Sequence, residues 1–412
     1  MKLFKEYRGL RKEIYILFIG KMMTNMGAMI WPMLTLILNK KLGMNASEIA
    51  GYFLLFSICS IPVTLLGGKL ADHFNKKNLI IFCDCFSIVA YISCGLLPLS
   101  MVSVWIMFFA SLFQSAETPA YDALIADLSL PKDRARAYSL GYLGSNLGLV
   151  LAPTIGGLLF ENYLWLAFII NGLAIASSAI LIFFFIKNIS REVDTSSEKN
   201  NYESSKEGIS TLEVIKQNKL IILLAFITAA SSIVYSQFNY LMPLDLARVH
   251  GNQGAVYFGT ITSVNCILVV IFTPLLTQWL RKVNEVPKLI IGEFLEVFGL
   301  AVFMLLLGKV WAYYLAITIF TFGEIVKTLA SNPYLTKRVP ASHRGRILSI
   351  IMVFSSLIAG IAQKGVGKVF DLDGSTVAWT LVLGVGVLTI VLEVWLGFLD
   401  KKYYRKLYET KN

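Results

Sequence analysis

The sequence predicts an all-α membrane protein with twelve transmembrane helices in two pseudo-symmetric six-helix bundles. Three observations predict it. Of 412 residues, 56% are hydrophobic and only 15% charged, with a mean hydropathy of +0.67. A water-soluble chain of this size has no interior able to hide that much apolar surface. Apolar runs of about twenty residues, each long enough to cross a bilayer as a helix, recur along the chain. A single long polar stretch, 188–218, then divides those runs into six and six.

The twelve runs lie near 14–38, 48–70, 79–99, 102–126, 137–160, 163–187, 219–247, 255–280, 288–308, 311–335, 346–370 and 376–399. The first is long, carries Lys21 and lacks a small-residue cleavage site, so it is expected to stay as the first span. The five cysteines, Cys59, Cys83, Cys85, Cys94 and Cys266, all fall inside spans. There they are expected to pack as reduced thiols rather than to bind metal.

Basic residues sort by side. The N-terminus (Lys2, Lys5, Arg8, Arg11, Lys12), the even-numbered connections (among them Lys76, Lys77, Lys132, Arg134, Arg136, Lys337, Arg338, Arg344 and Arg346) and the C-terminus hold most of them. The odd-numbered connections hold only Lys40, Lys41, Arg248, Lys309 and Lys368. By the positive-inside rule both termini are expected in the cytoplasm, with the chain in the plasma membrane. The net charge of +11 is then a topology signal, and its spread over short loops argues against nucleic acid as a partner.

Residues 1–187 and 219–412 are read as the two bundles. Residues 188–218 are read as a polar cytoplasmic linker with a short amphipathic helix near 210–218. The halves resemble each other at an offset of about 210 residues. Ala152-Pro-Thr-Ile-Gly-Gly-Leu-Leu-Phe160 aligns with Ala362-Gln-Lys-Gly-Val-Gly-Lys-Val-Phe370, and Arg134 and Arg136 align with Arg344 and Arg346. Two repeated bundles are what alternating access requires, with substrate held near the midplane.

Three local patterns carry a family resemblance. After the second span stands Gly67-Gly68-Lys69-Leu70-Ala71-Asp72-His73-Phe74-Asn75-Lys76-Lys77. The fifth span carries Gly148, Ala152, Pro153, Gly156 and Gly157. The seventh and tenth contain Gln237-Phe-Asn-Tyr-Leu-Met-Pro243 and Gly323-Glu-Ile-Val326. Over nearly its whole length the chain resembles the major facilitator superfamily, and the last two segments resemble its LmrP-type proton-coupled multidrug transporters. The resemblance implies that Gly68, Asp72, Lys76, Lys77 and Asp127 form the conformational signature loop and its partner. It implies that Gly148, Pro153, Gly156 and Gly157 form the antiporter motif. Physically that motif is a proline-kinked helix with a small-residue face. His73 and Asn75 stand where the family has arginine and glycine, and Asn239 and Gly141 stand where the LmrP-type group has carboxylates.

Charge inside the bilayer is costly and marks polar pathways. Glu324 and Lys327 lie one turn apart in the tenth span, and Glu117 in the fourth precedes Lys327 by 210 residues. These three are the expected proton-coupling residues, with Lys327 switching between Glu117 and Glu324. Lys21, Asp84, Asp122, Glu293, Glu296, Lys364 and Glu393 are expected to serve packing or interface roles. Met22, Met26, Met29 and Met33 form a stripe on the first span. With Asn25, Tyr121, Tyr235, Phe238 and Asn239 they suit apolar or cationic ligands. Asn25, Met29, Tyr121, Tyr235, Phe238 and Asn239 are therefore the candidate substrate contacts.

The leading expectation is a proton-coupled antiporter exporting lipophilic or cationic small molecules, monomeric in the lipid bilayer, with the proton as coupling ion and no cofactor. The second is a transporter of one specific metabolite (peptide, lipid or nucleoside-like) with Lys327 and Lys364 on an anionic group. The third is a non-transporting sensor. No nucleophile–base set or phosphate loop supports an enzyme. The three histidines, His73, His250 and His343, all fall in expected loops.

Overall fold

The computed structural model describes residues 7–129, 133–186, 211–339 and 344–409. The expected linker lies outside the described residues as far as position 210, as does Lys132, and so do the side chains of Asp72, Arg134 and Arg344. In chain order the helices are α1 (Lys12–Gly27), α2 (Ile30–Leu36), α3 (Ala46–His73), α4 (Lys76–Leu96), α5 (Met101–Leu128), α6 (Arg134–Leu149), α7 (Ala152–Leu159) and α8 (Leu164–Phe185). They continue as α9 (Thr211–Gln217), α10 (Lys219–Ser236), α11 (Leu241–His250), α12 (Gln253–Trp279), α13 (Glu285–Leu305), α14 (Val310–Thr336), α15 (Arg344–Asp373), α16 (Ser375–Tyr403) and α17 (Lys406–Glu409). The short α9 forms where the sequence suggested a helix at the end of the linker.

Ten helical stretches among the described residues are long and apolar enough to cross a membrane. The two other long helices, α5 and α13, fill the remaining places of the expected twelve. Both carry acids along their length: Glu117, Asp122 and Asp127 on α5, and Glu293 and Glu296 on α13.

Three spans break beside a proline, whereas α3, α5, α12 and α14 run through Pro62, Pro119, Pro274 and Pro333. The first span stops at Gly27 and restarts as α2 with Pro32 near its start, then ends in a π turn over Ile37–Lys41. The seventh span breaks between Ser236 and Leu241, ahead of Pro243. The fifth breaks between Leu149 and Ala152, and Pro153 sits in the first turn of α7, where its missing N–H costs nothing. At the repeat position of Pro153 the eleventh span has Gln363, and α15 runs unbroken for 30 residues.

The chain forms two compact units. Unit 1 draws on Met1–Met44, Leu55–Thr195 and Pro243–Val270. Unit 2 draws on Asn45–Leu54, Ser196–Met242 and Ile271–Asn412. Lipid is as apolar as leucine, so close contact and interhelical hydrogen bonds, not water exclusion, hold helices together. In unit 1 a Cβ on Gly144 would lie 2.9 Å from the Phe18 carbonyl oxygen, one on Gly148 would lie 2.7 Å from the Asn25 Cβ, and one on Gly156 would lie 3.0 Å from the Met29 carbonyl oxygen. These three glycines form one stripe that lets α6 and α7 lie against α1 and its break. A Cβ on Gly67 would overlap the Ala116 backbone, whereas Gly68 has room. Gly67 is thus the signature-loop glycine at which α3 crosses α5.

In unit 2 the closest crossing joins α13 and α14. A Cβ on Gly292 would sit 2.9 Å from the Gly323 carbonyl oxygen, and one on Gly323 would sit 2.7 Å from the Glu296 nitrogen. Gly299 repeats the approach two turns on, against Ala316 and Phe320. Unit 2 also holds a buried apolar cluster that includes Leu220, Leu224, Leu289, Ile347, Ile351 and Leu396.

Candidate functional site

The glycine crossing decides where charge gathers in unit 2. With no side chains at Gly292 and Gly323, the acidic face of α13 is pressed on α14. Lys327 Nζ pairs with Glu293 Oε2 at 3.0 Å and with Glu296 Oε2, and it donates to Ser231 Oγ of α10 at 2.8 Å. Ser231 in turn donates to Glu293 Oε2 at 2.6 Å. Glu393 of α16, buried, stands within electrostatic reach of Glu293, Glu296 and Lys327. Glu293, Glu296 and Glu393 were expected to be packing residues on peripheral spans, and this is a correction: they surround the expected coupling lysine. Lys327 was expected to switch between Glu117 and Glu324; its ion pairs here run to Glu293 and Glu296 of α13.

Glu324 faces another group. It is half-buried and accepts a hydrogen bond from the Tyr235 hydroxyl at 2.9 Å. The Tyr235 and Phe238 rings both stack on Phe320, at centroid separations of 5.7 and 5.5 Å. Phe238 and Phe320 are buried. The break between α10 and α11 puts Tyr235 and Phe238 beside α14. Asn239, on the same break, is exposed.

Unit 1 holds its own charged group. Glu117 of α5 lies within electrostatic reach of both Asp84 of α4 and Lys21 of α1. The Lys21 ammonium sits 4.4 Å from the Tyr121 ring centroid, and the Tyr121 hydroxyl donates to the Leu17 carbonyl at 2.9 Å. Asn25 donates to the Lys21 carbonyl at 2.8 Å. Met29 is buried at the α1–α2 break beside Gly156, so packing claims it. Asp84 is a second correction, since it was placed with the packing acids and it is buried beside Glu117, an expected coupling acid.

Ion pairs also mark one end of each unit. Lys76 Nζ meets Asp127 Oδ2 at 2.8 Å, as the signature-loop resemblance implied, and Lys77 donates to the carbonyls of Phe183 and Ile186, at 2.6 and 2.7 Å. In unit 2 Lys337 meets Glu285 Oε1 at 2.6 Å. Glu285 lies 209 residues after Lys76, and Lys337 lies 210 after Asp127. The repeat keeps the pair and exchanges its signs. Beside it Arg338 grips buried Asp400 with two bonds of 2.7 and 2.6 Å, and its guanidinium stacks 3.9 Å from the Tyr334 ring centroid.

Burial pushes the Glu285 carboxyl up, but the hydrogen bond from Lys337 and the charges of Lys337 and Arg338 outweigh it, so the net shift is downward. A lowered folded value means that the pair contributes stability above the ordinary glutamate range and loses it as pH falls through the folded value. Thermal unfolding followed from neutral to acid pH should therefore show a loss that Glu285→Gln removes. An identical acid profile in that variant would exclude the pair as its source.

The comparisons with known proteins agree with this architecture. The family model described as "Major Facilitator Superfamily" matches residues 16–363. The chain is 23% identical to the "Na(+), Li(+), K(+)/H(+) antiporter" of Planococcus maritimus, over 84% of this chain and 88% of that protein. It is 22% identical to "Multidrug resistance protein MdtH" of Edwardsiella ictaluri (strain 93-146), over 93% of this chain and 94% of that protein. Its fold is similar to that of a POT family transporter solved in complex with 5-aminolevulinic acid, with a TM-score of 0.76 at 15% identity, covering 96% of this chain and 97% of that one. A polar, charged interior carried on apolar spanning helices, matched by this family model along most of its length, settles the assignment: the chain belongs to the major facilitator superfamily and is a multi-pass membrane transporter, not an enzyme.

Proposed function

We propose that this transporter is a proton-coupled antiporter that exports lipophilic, cationic small molecules by alternating access. One observation carries the reading: Glu324 is a half-buried carboxyl group held by Tyr235 beside the stacked rings of Phe238 and Phe320. An acid next to aromatic faces attracts a lipophilic cation, and the same acid takes up a proton once the cation leaves. The names of two relatives, a cation/proton antiporter and a multidrug resistance protein, support it.

In this reading Glu324, Glu117 and Lys327 handle protons. Asn25, Tyr121, Tyr235, Phe238 and Asn239 contribute to substrate contact. Gly68, Asp72, Lys76, Lys77, Asp127, Gly148, Pro153, Gly156 and Gly157 govern the change of conformation. The chain acts as a monomer in the plasma membrane with both termini in the cytoplasm, the proton being its coupling ion. The test is ethidium flux in proteoliposomes of the full chain. A pH gradient should drive ethidium uphill, and dissipating that gradient should stop it. Movement indifferent to pH would contradict antiport.

A further inference from the structure

The charge cluster of unit 2 does not balance. Three carboxyl groups, Glu293, Glu296 and Glu393, gather on one ammonium, Lys327, so full ionisation leaves two negative charges. The three glutamates are 0%, 0% and 1% exposed. One oxygen of each, Glu293 Oε1, Glu296 Oε1 and Glu393 Oε2, is buried with no hydrogen-bond partner. A bare carboxylate oxygen away from water is costly, whereas a carboxyl group carrying a proton removes the charge. Among the described residues, the charged neighbours acting on these acids are Lys327 and the other acids, including Glu324; α10 adds the Ser231 hydroxyl, and none of these supplies a second positive charge.

The repeat gives an independent sign that this position was built to hold charge. Lys21, Asp84 and Glu117 of unit 1 precede Ser231, Glu293 and Lys327 of unit 2 by 210, 209 and 210 residues. The same three helical positions carry one ammonium in each unit, on the first helix of unit 1 (α1) and on the α14 helix of unit 2. At the position 209 residues before Glu296 stands Ser87, itself buried with an unpartnered hydroxyl. The polar position is retained, and unit 2 has filled it with an acid.

We propose that Glu293, Glu296 and Glu393, held around Lys327, form a proton-binding site that loads separately from Glu324. It rests on the antiport reading and names a proton store for it. Protons bind reversibly to the unpartnered carboxyl oxygens and leave by the same route, and no covalent bond changes. Two protons neutralise the cluster while Lys327 keeps its ion pair. Glu324 accepts from Tyr235 and lies within electrostatic reach of Glu296, and in this proposal substrate charge is assigned to Glu324 and stored protons to the three cluster acids.

The test is infrared difference spectroscopy of the full chain in liposomes, titrated with pH and read at the carbonyl stretch of protonated carboxyl groups. The wild type should show a pH-dependent band, and Glu296→Gln and Glu393→Gln should each lose part of it. Glu324→Gln should retain that part. The Lys327 ion pairs run to Glu293 and Glu296, so Glu393→Gln leaves both intact and keeps the test open should Glu296→Gln misfold. An unchanged band in Glu393→Gln, or a band that vanishes only with Glu324→Gln, overturns the proposal. A band that depends on Glu393 in a protein whose ethidium flux ignores the pH gradient supports the site while the antiport reading fails.

Discussion

Lys327→Met is expected to destabilise the protein more than any other single substitution in the membrane-embedded part. Among the described residues the Lys327 ammonium is the positive charge paired with Glu293 and Glu296 and acting on Glu393, and the two acids that it pairs with are fully buried. Removing one member of a buried ion pair typically costs about 3–5 kcal/mol, because the partner's charge is left uncompensated. Methionine keeps the length and the packing of the stem, so the effect reports charge. Thermal unfolding in detergent should show a large drop in Tm. Adding Glu296→Gln to that variant should recover part of the loss, since one buried charge then disappears with its partner. Additive losses in the double variant would show that Lys327 and Glu296 do not act as a pair.

Arg338→Met is expected to have the second-largest effect. Arg338 is almost fully buried, forms two bonds to Asp400, donates to the Tyr334 carbonyl at 3.0 Å, and stacks on the Tyr334 ring. The substitution leaves Asp400, 0% exposed, with the hydroxyls of Tyr334 and Tyr408 as donors. Those two bonds soften the penalty, so the loss should fall toward the lower end of about 3–5 kcal/mol. Arg338→Lys should recover little, because an ammonium reproduces neither the fork nor the stack. Lys337→Ala, whose pair with Glu285 is 42% exposed on the lysine side, should cost no more than about 1 kcal/mol. Melting curves that rank Lys337→Ala above Arg338→Met would contradict this description of the end of unit 2.

The fold was legible because bilayer spans announce themselves by length and composition, and because glycines mark where helices cross closely. Even the Glu117–Lys327 relation is a matter of counting residues. The partners of Lys327 were not read correctly for a physical reason. A pair one turn apart on one helix is visible in sequence, whereas an interhelical pair depends on which faces meet. The signal was nevertheless present: Gly292, Glu296 and Gly299 fall at i, i+4 and i+7, on one face of α13. A glycine face packs closely, so an acid on it must meet the neighbouring helix. Asp84 escaped for a related reason, since its neighbour Glu117 lies on another helix and both are acids, a combination that charge pairing does not suggest. Met29 shows the opposite error. A thioether stripe suits ligands and packing alike, and only the close approach of Gly156 at the α1–α2 break reveals that packing takes it.

The most direct test of the account compares wild type with Glu324→Gln for uphill ethidium movement in proteoliposomes under an imposed pH gradient, with folding checked by thermal unfolding. Glutamine keeps the shape and can still accept from Tyr235, but it cannot release a proton. The account predicts that the wild type concentrates the dye and that Glu324→Gln, equally well folded, does not. Undiminished gradient-driven transport by Glu324→Gln would contradict it.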